Sequence, residues 1–478
     1  MARIVFVLLV GTAFLSPVTG AASPIEAWAA RYDGPANWED IAEALAVSPD
    51  GSRLYVTGLS TQRVDLCGGK HGCRFSWAYA TIAYDSASGE DLWVSRYQGP
   101  GRGADHANDV AVSPDGTAVY VTGGSGGDGT GKDFATVAYD ASDGARRWVA
   151  RYDGPTSGLD SGQSLALSPD GTDAFVTGWS ADGSTASGGR NLDYVTVAYD
   201  TATGEEEWVS RSAGPAGRDY PFEIGMAPDG SRVFVTGWNA GHGATSNDAV
   251  TVAYDAETGA ELWVARYDGP AGGSDAAYSL AVSLDGARVF VSGSSSPPDG
   301  SRSAALVIAY DALTGSQLWA ARYERPTRSS ETFQVAVSPD GTMVFATGAW
   351  IGRGGYPCFG WDYLTLAYGA ADGIIRWSAR YDGPAGCYDY AQAIVAGADE
   401  VVVTGVSKAP GSHQDVATVA YDPYSGIELW IARHDGPASG SDQGNALTFG
   451  PDGRLYVAGW STSRTGYRDY LTIGYADG

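Results

Sequence analysis

Carboxylates are the groups in this chain whose spacing most readily suggests chemistry. An aspartate recurs just before the first strand of successive sequence units, and in the sixth unit Ser330 takes its place. The seven positions are Asp40, Asp105, Asp160, Asp219, Asp275, Asp389 and Asp442. If these positions begin the innermost strands of a ring-shaped fold, the carboxylates surround one mouth of its central channel. Such a ring of carboxylates would favour a bound cation, for which calcium is suited, or raised pKa values. The alternative is that each aspartate accepts hydrogen bonds from its own loop backbone, a structural role that its repetition favours.

Aromatic residues outside the repeat consensus form a second candidate site. Four tryptophans follow second strands, at Trp179, Trp238, Trp350 and Trp460. Further aromatic residues belong to the same face, at Trp38, Trp77, Trp361, Tyr220, Tyr388 and Tyr390. Exposed aromatic rings can stack on sugars or anchor a partner protein. Alternatively, these rings pack the long loops against one another.

Familiar catalytic patterns are missing from the sequence. It has no Gly-x-Ser-x-Gly elbow, phosphate-binding loop or His-Glu-x-x-His motif. The five histidines are scattered without metal-ligand spacing. The sequence therefore assigns no catalytic residue and no metal ligand.

The four cysteines suit an oxidising compartment and allow three pairings. Cys67 and Cys73 lie in one long loop of the first unit, Cys358 lies in the corresponding loop of the sixth, and Cys387 lies in the link to the seventh. Because both kinds of connection emerge on the same face, we predict the disulfides Cys67–Cys73 and Cys358–Cys387.

The elements that position these residues follow from an internal repeat. A tryptophan opens each copy of one phrase, and the copies are 53 to 65 residues apart. The eight positions are Trp28, Trp93, Trp148, Trp208, Trp263, Trp319, Trp377 and Trp430. Self-similarity at such a period predicts a propeller or a solenoid.

Each unit contains four short strands separated by turns. The first strand ends in a turn such as Ser48-Pro-Asp-Gly51, and the third ends in a turn such as Asp255-Ala-Glu-Thr-Gly259. The strands are apolar on both faces, which indicates that both faces are covered. Radially stacked blades provide that cover.

Counting the units predicts a closed ring. The third-strand tyrosine occurs eight times, at Tyr84, Tyr139, Tyr199, Tyr254, Tyr310, Tyr368, Tyr421 and Tyr475. The eighth unit has no tryptophan strand of its own, and the spare strand around Trp28 fits that vacancy. We therefore predict an all-β, eight-bladed propeller of four-stranded antiparallel blades, in which Trp28 to Tyr32 pairs with Leu471 to Tyr475.

Arginine and aspartate also recur on the strands that should pair. An arginine follows each repeat tryptophan by three residues, as Arg151 follows Trp148. A third-strand aspartate occurs in six units, at Asp133, Asp193, Asp248, Asp362, Asp415 and Asp469. Pairing of the third and fourth strands predicts ion pairs between these groups.

The N-terminus resembles an export signal. Arg3 precedes an apolar run from Ile4 to Leu15, and small residues follow it. We expect a signal peptide over residues 1–21 and a single propeller domain over 22–478. No later apolar run is long enough to span a bilayer, so we expect no transmembrane segment and a secreted, periplasmic or cell-envelope location. A formal charge of −26 disfavours nucleic acid as a partner.

Two resemblances meet in one unit. The phrase Tyr254-Asp-Ala-Glu-Thr-Gly-Ala-Glu-Leu-Trp263 resembles the tryptophan-docking repeat of quinoprotein dehydrogenases that use pyrroloquinoline quinone, a family with eight blades. The phrase Ser48-Pro-Asp-Gly-Ser-Arg-Leu-Tyr-Val-Thr-Gly58 is similar to the YVTN repeats of bacterial surface-layer propellers. The resemblance implies a propeller. The adjacent cysteines by which the dehydrogenases are recognised have no counterpart here, and their calcium ligands and catalytic aspartate match no positions.

These observations favour binding over catalysis. We expect an extracellular binding or scaffold module, a monomer that contacts a protein or glycan through its loop-bearing face. The alternative is an enzyme that uses the central channel, either a quinoprotein-like oxidoreductase or a carbohydrate-active enzyme. No cofactor is required by the sequence, although the aspartate ring would accommodate calcium. The sequence names no ligand or substrate.

Overall fold

Runs of Val, Ile, Tyr and Thr between Gly- and Asp-containing turns form short strands, as expected from their packing preferences. The computed structural model describes residues 24–65, 74–101, 105–184, 190–212, 214, 217–241, 246–269, 272–325, 328–352, 360–411 and 413–476. Within these ranges the regular structure is entirely β, and no helix has the length and hydropathy needed to cross a membrane. The predicted signal peptide at residues 1–21 lies outside them.

Thirty-two strands form eight four-stranded sheets. The chain begins with β1 (Ile25–Tyr32). Blades one to four are β2 (Asp40–Val47), β3 (Arg53–Asp65), β4 (Arg74–Asp85), β5 (Asp91–Tyr97); β6 (His106–Val112), β7 (Ala118–Gly126), β8 (Lys132–Asp140), β9 (Arg146–Tyr152); β10 (Asp160–Leu167), β11 (Asp173–Ser184), β12 (Arg190–Asp200), β13 (Glu206–Ser212); β14 (Asp219–Met226), β15 (Arg232–Ala240), β16 (Asn247–Asp255), β17 (Glu261–Tyr267). Blades five to eight are β18 (Asp275–Val282), β19 (Arg288–Ser295), β20 (Ala304–Asp311), β21 (Gln317–Tyr323); β22 (Ser329–Val337), β23 (Met343–Ile351), β24 (Trp361–Gly369), β25 (Ile375–Tyr381); β26 (Tyr390–Ala396), β27 (Val401–Lys408), β28 (Gln414–Tyr421), β29 (Glu428–His434); β30 (Asp442–Phe449), β31 (Leu455–Thr462), β32 (Arg468–Ala476), completed by β1.

The N-terminal strand closes the ring, as predicted. Strand β1 pairs antiparallel with β32, with Trp28 opposite Gly474 and Tyr32 opposite Tyr470. Pairing across the two ends of the chain removes the open sheet edge that β32 would otherwise present. The first strand of each blade contacts that of the next, and β30 of blade eight contacts β2 of blade one. The eight-bladed closed propeller is therefore confirmed.

The core lies at the seams, by which we mean the contacts between neighbouring blades. One cluster joins Tyr55 and Tyr79 of blade one to Val119 and Val137 of blade two. The repeat tryptophans also contact the neighbouring blade across these seams. The Nε1 atom of Trp28 donates to the carbonyl oxygen of Ser86 in blade one at 3.1 Å, and the indole covers Gly89. At Gly89, φ is +74° and a Cβ would lie 2.5 Å from the indole, so both the turn and the contact require glycine.

Tryptophan docking changes only where the ring closes. Seven of the eight repeat tryptophans donate to a carbonyl oxygen in the turn after the next blade's third strand. Trp430 of blade seven faces blade eight, whose outermost strand is β1. Its Nε1 atom donates instead to Oε2 of Glu400 at 2.8 Å.

The antiparallel order gives the propeller two different faces. The turns after first and third strands lie on one face, the turn face. The connections after second strands and the links between blades lie on the other, the loop face. The candidate site residues that the structure describes belong to the loop face or to the first strands that begin there.

Candidate functional site

Each of the seven aspartates lies at, or one residue before, the start of a first strand, where its side chain is buried. Asp40 shows the pattern: Oδ2 accepts from the backbone nitrogen of Gly34 in the blade link at 2.8 Å, and Oδ1 accepts from that of Thr61 in the second strand at 3.1 Å. The bond from a link glycine recurs, at 2.5 to 3.1 Å, at Asp105, Asp160, Asp219, Asp275, Asp389 and Asp442. These carboxylates therefore fasten the blade links to the sheets.

Burial raises the pKa of these seven carboxyl groups. The pKa reaches about 6 for Asp40, Asp219 and Asp389, because removal from water disfavours the charged form more than the hydrogen bonds favour it. The remaining four are shifted in the same direction.

Four of the seven aspartates that begin first strands lie close to two other acids each, at the seams between blades. Four such triplets have carboxylate oxygens within 4.8 Å of one another: Asp33, Asp40, Asp469; Asp133, Asp153, Asp160; Asp362, Asp382, Asp389; Asp415, Asp435, Asp442. Calcium takes about six to eight oxygen ligands, more than three residues normally offer. Arginine already binds an acid in three of the triplets. Calcium binding by these aspartates stays a prediction.

The predicted cross-strand ion pairs are confirmed at four of the six aspartates. Arg151 contacts Asp133 at 2.8 Å, and Arg211 contacts Asp193 at 3.1 Å. The equivalent pairs are Arg380–Asp362 and Arg433–Asp415. At the closing seam, Arg31 donates instead to Oγ of Ser461 at 2.7 Å. Burial, with Asp33 and Asp40 nearby, raises the pKa of Asp469 to about 7.

A further ring of residues, which sequence reasoning missed, lies along the inner strands. Every first strand has a β-bulge at the same place in its pairing with the second strand. The extra residue is half-buried in all eight blades. We call these eight the wall residues: Glu43, Asn108, Gln163, Phe222, Tyr278, Phe333, Gln392 and Asn445. Each follows the ring aspartate, or Ser330, by three residues, so their spacing was visible in the sequence.

The wall residues divide into two arcs. Blades four to six contribute aromatic rings: Phe222 and Tyr278 meet edge to face at 5.3 Å, and Tyr278 lies 6.4 Å from Phe333. The other five blades contribute amides and one carboxylate. The innermost strands therefore present an apolar, aromatic side opposite a polar side.

Three residues of the polar arc, Glu43, Gln392 and Asn445, line a cavity of about 400 Å³. Its lining residues are Ile41, Glu43, Gln392, Gln443, Asn445, Trp460 and Arg468. The amide of Gln443 donates to Oδ1 of Asn445 at 2.8 Å, and Tyr390 donates to Oε1 of Gln443 at 3.2 Å. The cavity thus offers oriented donors and acceptors from blades seven, eight and one.

Two half-buried acids beside the wall connect neighbouring blades. Oδ2 of Asp109 accepts from the backbone nitrogen of Leu165 in the next blade at 2.8 Å. Oε2 of Glu223 accepts from that of Leu280 at 2.8 Å. Burial raises their pKa values to about 6 and about 7, respectively. Because both acids bond the next blade's backbone beside its bulge, their raised pKa values have a structural origin.

The four tryptophans of the predicted platform separate into different environments. Trp179 and Trp238 both contact Tyr220, with ring centroids 6.0 and 5.0 Å away. The guanidinium of Arg468 covers the ring of Trp460 at 4.1 Å. Trp350 is one residue out of register with the other three, since it pairs with Ser330 whereas Trp179 pairs with Ser161. Trp350 therefore faces a seam, where Arg325 lies 4.9 Å from its ring.

The cysteine predictions fall largely outside the described residues. Cys387 is buried in the link to blade seven. Cys67, Cys73 and Cys358 lie outside the described ranges, so both disulfides stay predictions.

The wall residues do not fit the quinone cofactor. Pyrroloquinoline quinone is a flat tricarboxylate, which needs cationic partners where it is removed from water. None of the eight wall residues is cationic, and the sequence contains no adjacent cysteines. The wall therefore offers aromatic and amide contacts without the charges that such an anion requires.

Comparison with known proteins agrees with the architecture. Residues 193–356 match the family described as outer membrane protein assembly factor BamB. A search of curated proteins found no match to this chain.

Solved structures share the fold at low identity. The quinohemoprotein alcohol dehydrogenase from Comamonas testosteroni is 13% identical over 95% of this chain and 76% of that chain, with a TM-score of 0.55. Chaetomium thermophilum Sqt1, bound to the N-terminus of ribosomal protein L10, is 12% identical over 93% and 98%, with a TM-score of 0.57. A europium-containing methanol dehydrogenase is 12% identical over 95% and 93%, with a TM-score of 0.51. The chain is a β-propeller repeat protein, and at these identities the likeness to solved structures shows the fold alone.

Proposed function

We propose that this propeller is a binding or scaffold module that acts outside the cytoplasm, in secreted form or in the periplasm or cell envelope. Its ligand contacts the loop face around the axis. The wall residues lie on the first strands of a closed ring, an arrangement typical of binding sites carried by a stable scaffold.

The two-sided wall carries this proposal and favours a carbohydrate ligand. A sugar ring has an apolar face of C–H groups and an edge of hydroxyls. Phe222, Tyr278 and Phe333 suit the first, whereas amides such as Gln163 and Asn445 can donate to and accept from the second. The neighbouring polar cavity of about 400 Å³ is of the size of small-ligand sites.

A protein ligand is favoured by a separate observation. The matched family is described as an assembly factor. A closed ring of eight blades offers a broad rigid surface for such a role, and aromatic residues such as Tyr220 and Tyr388 on the loop face suit protein contacts. Both ligands would use the same face.

Catalysis in the channel has weaker support. The acids beside the wall with raised pKa values, Asp109 and Glu223, are occupied by backbone groups of the next blade. The wall lacks the cationic residues that a quinone tricarboxylate would need.

A glycan array tests the proposal with the mature protein. Wild type is compared with Tyr278→Ala/Phe333→Ala, which removes two aromatic rings, and with Gln163→Ala on the polar arc. We expect wild type to bind at least one glycan and both variants to lose most of that signal. Stacking is worth about 0.5–1.5 kcal/mol per ring, which predicts roughly a fivefold to 150-fold loss for the double variant.

The control is Tyr424→Ala, because Tyr424 is an aromatic residue on the turn face and is 60% exposed. It should bind like wild type, and melting curves establish that each variant is folded. An array without any bound glycan, or binding that survives loss of the aromatic arc, would contradict the carbohydrate proposal. Affinity capture of an envelope protein that is lost with the same loop-face variants would then favour the scaffold role.

A further inference from the structure

One seam departs from all the others in its charge. At the seam between blades two and three, Asp133, Asp153 and Asp160 surround Arg151. At the seam between blades five and six, the corresponding residues are Ala304, Glu324 and Ser330 around Arg322. The link glycine, Gly154 in the first case, becomes Arg325. This seam therefore loses two carboxylates and gains a guanidinium.

The altered seam contains a cavity of about 520 Å³, which we call the arginine cavity. Its lining residues are Pro297, Ser301, Arg302, Ser303, Ala304, Arg322, Glu324, Arg325 and Arg328. Four arginines and one glutamate thus face a single space in a protein whose formal charge is −26.

The three nearby carboxylates, Glu324, Glu331 and Asp299, are exposed or accept hydrogen bonds from other residues. Arg322 Nη1 contacts Glu324 Oε1 at 3.0 Å, but the Glu324 side chain is 65% exposed. Glu331 accepts from Oγ of Ser303 at 3.0 Å, and Asp299 accepts from the backbone nitrogen of Ser301 at 3.0 Å. An anion that entered the cavity would therefore compete with the exposed Glu324 for Arg322.

Two buried donors at this seam lack partners. Nε of Arg322 and Nε1 of Trp350 have no hydrogen-bond acceptor among the described residues. Buried donors without partners are costly, and a ligand or water can supply the acceptor. Arg325 is held in position by its neighbours, because it lies over the rings of Tyr323 at 5.0 Å and Trp350 at 4.9 Å, and its Nε donates to the Tyr323 hydroxyl at 3.0 Å.

We propose that the arginine cavity binds the oxyanion group, carboxylate or phosphate, of a small acidic molecule. The planar guanidinium matches both groups with two parallel hydrogen bonds. The volume is within the range of small-molecule sites and exceeds the needs of a simple inorganic ion. This site lies apart from the wall residues, so it does not depend on the proposed glycan contact.

Isothermal titration calorimetry with citrate, glucuronate, inorganic phosphate and neutral glucose tests the site. We expect binding of the acids that weakens with added salt, and none of glucose. Tighter binding of citrate or glucuronate than of phosphate would indicate an organic acid, whereas the reverse would indicate a phosphate ligand.

The decisive variant is Arg325→Gln/Arg328→Gln. Its matched control, Arg376→Gln/Arg454→Gln, removes two exposed arginines elsewhere and changes the net charge equally. We expect affinity to fall about tenfold or more in the first and less than about twofold in the second. Arg325→Lys/Arg328→Lys keeps the charge and should bind with intermediate affinity. Equal weakening by both Gln pairs, or no binding of any acid to wild type, would overturn the proposal.

Discussion

Replacement of Trp28 by alanine tests whether the ring is closed by its N-terminal strand. Trp28 belongs to β1, and its contacts to Ser86, Gly89 and Tyr84 fasten blade eight to blade one. If those contacts hold the closure, Trp28→Ala should destabilise the whole ring and not only the first residues of the chain.

The size of the loss follows from the contacts. Removal of a tryptophan from a core costs about 3–5 kcal/mol, and the lower end applies because Trp28 is half-buried. Loss of the bond from Nε1 to the Ser86 carbonyl adds about 1 kcal/mol. At about 2.1 cal/mol/K per residue, a chain of roughly 450 residues melts about 1 °C lower for each kcal/mol. The expected decrease in Tm is therefore about 4 °C.

The matched control is Trp208→Ala, since Trp208 docks in the same way in the middle of the chain, with Nε1 2.9 Å from the Ala256 carbonyl oxygen. Scanning calorimetry should give similar decreases for both variants. Hydrogen exchange of β1 should accelerate in Trp28→Ala and not in Trp208→Ala. Deletion of residues 24–34 should lower Tm more than either substitution. The reasoning fails if Trp28→Ala melts within about 1 °C of wild type while Trp208→Ala does not.

Three further expectations concern pH, calcium and cysteines. Burial raises the pKa of Glu223 to about 7 and of Asp109 to about 6. Between about pH 4 and 7 the folded protein therefore binds more protons than the unfolded chain. As a consequence, the free energy of unfolding should fall as pH rises through this range. Calorimetry should show a lower Tm at pH 8 than at pH 5 and a smaller difference in Glu223→Gln; a Tm that rises over this range would contradict the assignment. If the aspartates bind calcium, millimolar calcium should raise Tm, and Asp105→Asn/Asp160→Asn should abolish the gain; an unchanged Tm would leave those carboxylates their structural role alone. Non-reducing peptide mapping should recover Cys67 joined to Cys73 and Cys358 joined to Cys387, and a peptide joining Cys67 to Cys387 would disprove both pairings.

The repeat determined the fold because the units share their turns and third-strand tyrosine, and seven of the eight carry their own tryptophan strand. One pattern repeated eight times leaves little freedom in strand order, and the missing eighth tryptophan strand required the closure by β1. The ion pairs were predictable for the same reason, since strand pairing places Arg151 opposite the region of Asp133.

The site was harder to predict because it depends on departures from the repeat. The wall residues are variable in type and share only their position at a bulge, a feature set by pairing that composition does not reveal. The arginine cavity arises from three departures from the repeat, at Ala304, Arg325 and Ser330, which lie on two neighbouring blades and the link between them and meet at one seam. Sequence position groups Trp350 with Trp179, Trp238 and Trp460, but a shift of one residue turns its side chain to the other face of the sheet.

Binding at the loop face is the central functional claim, and hydrogen–deuterium exchange tests it most directly. The mature protein is measured alone and with the glycan that gives the strongest array signal. We predict that protection concentrates in the first strands around the wall residues, above all in β14, β18 and β22, and leaves the turn face near Tyr424 unchanged. Protection confined to the turn face, with no change in those three strands, would contradict the account.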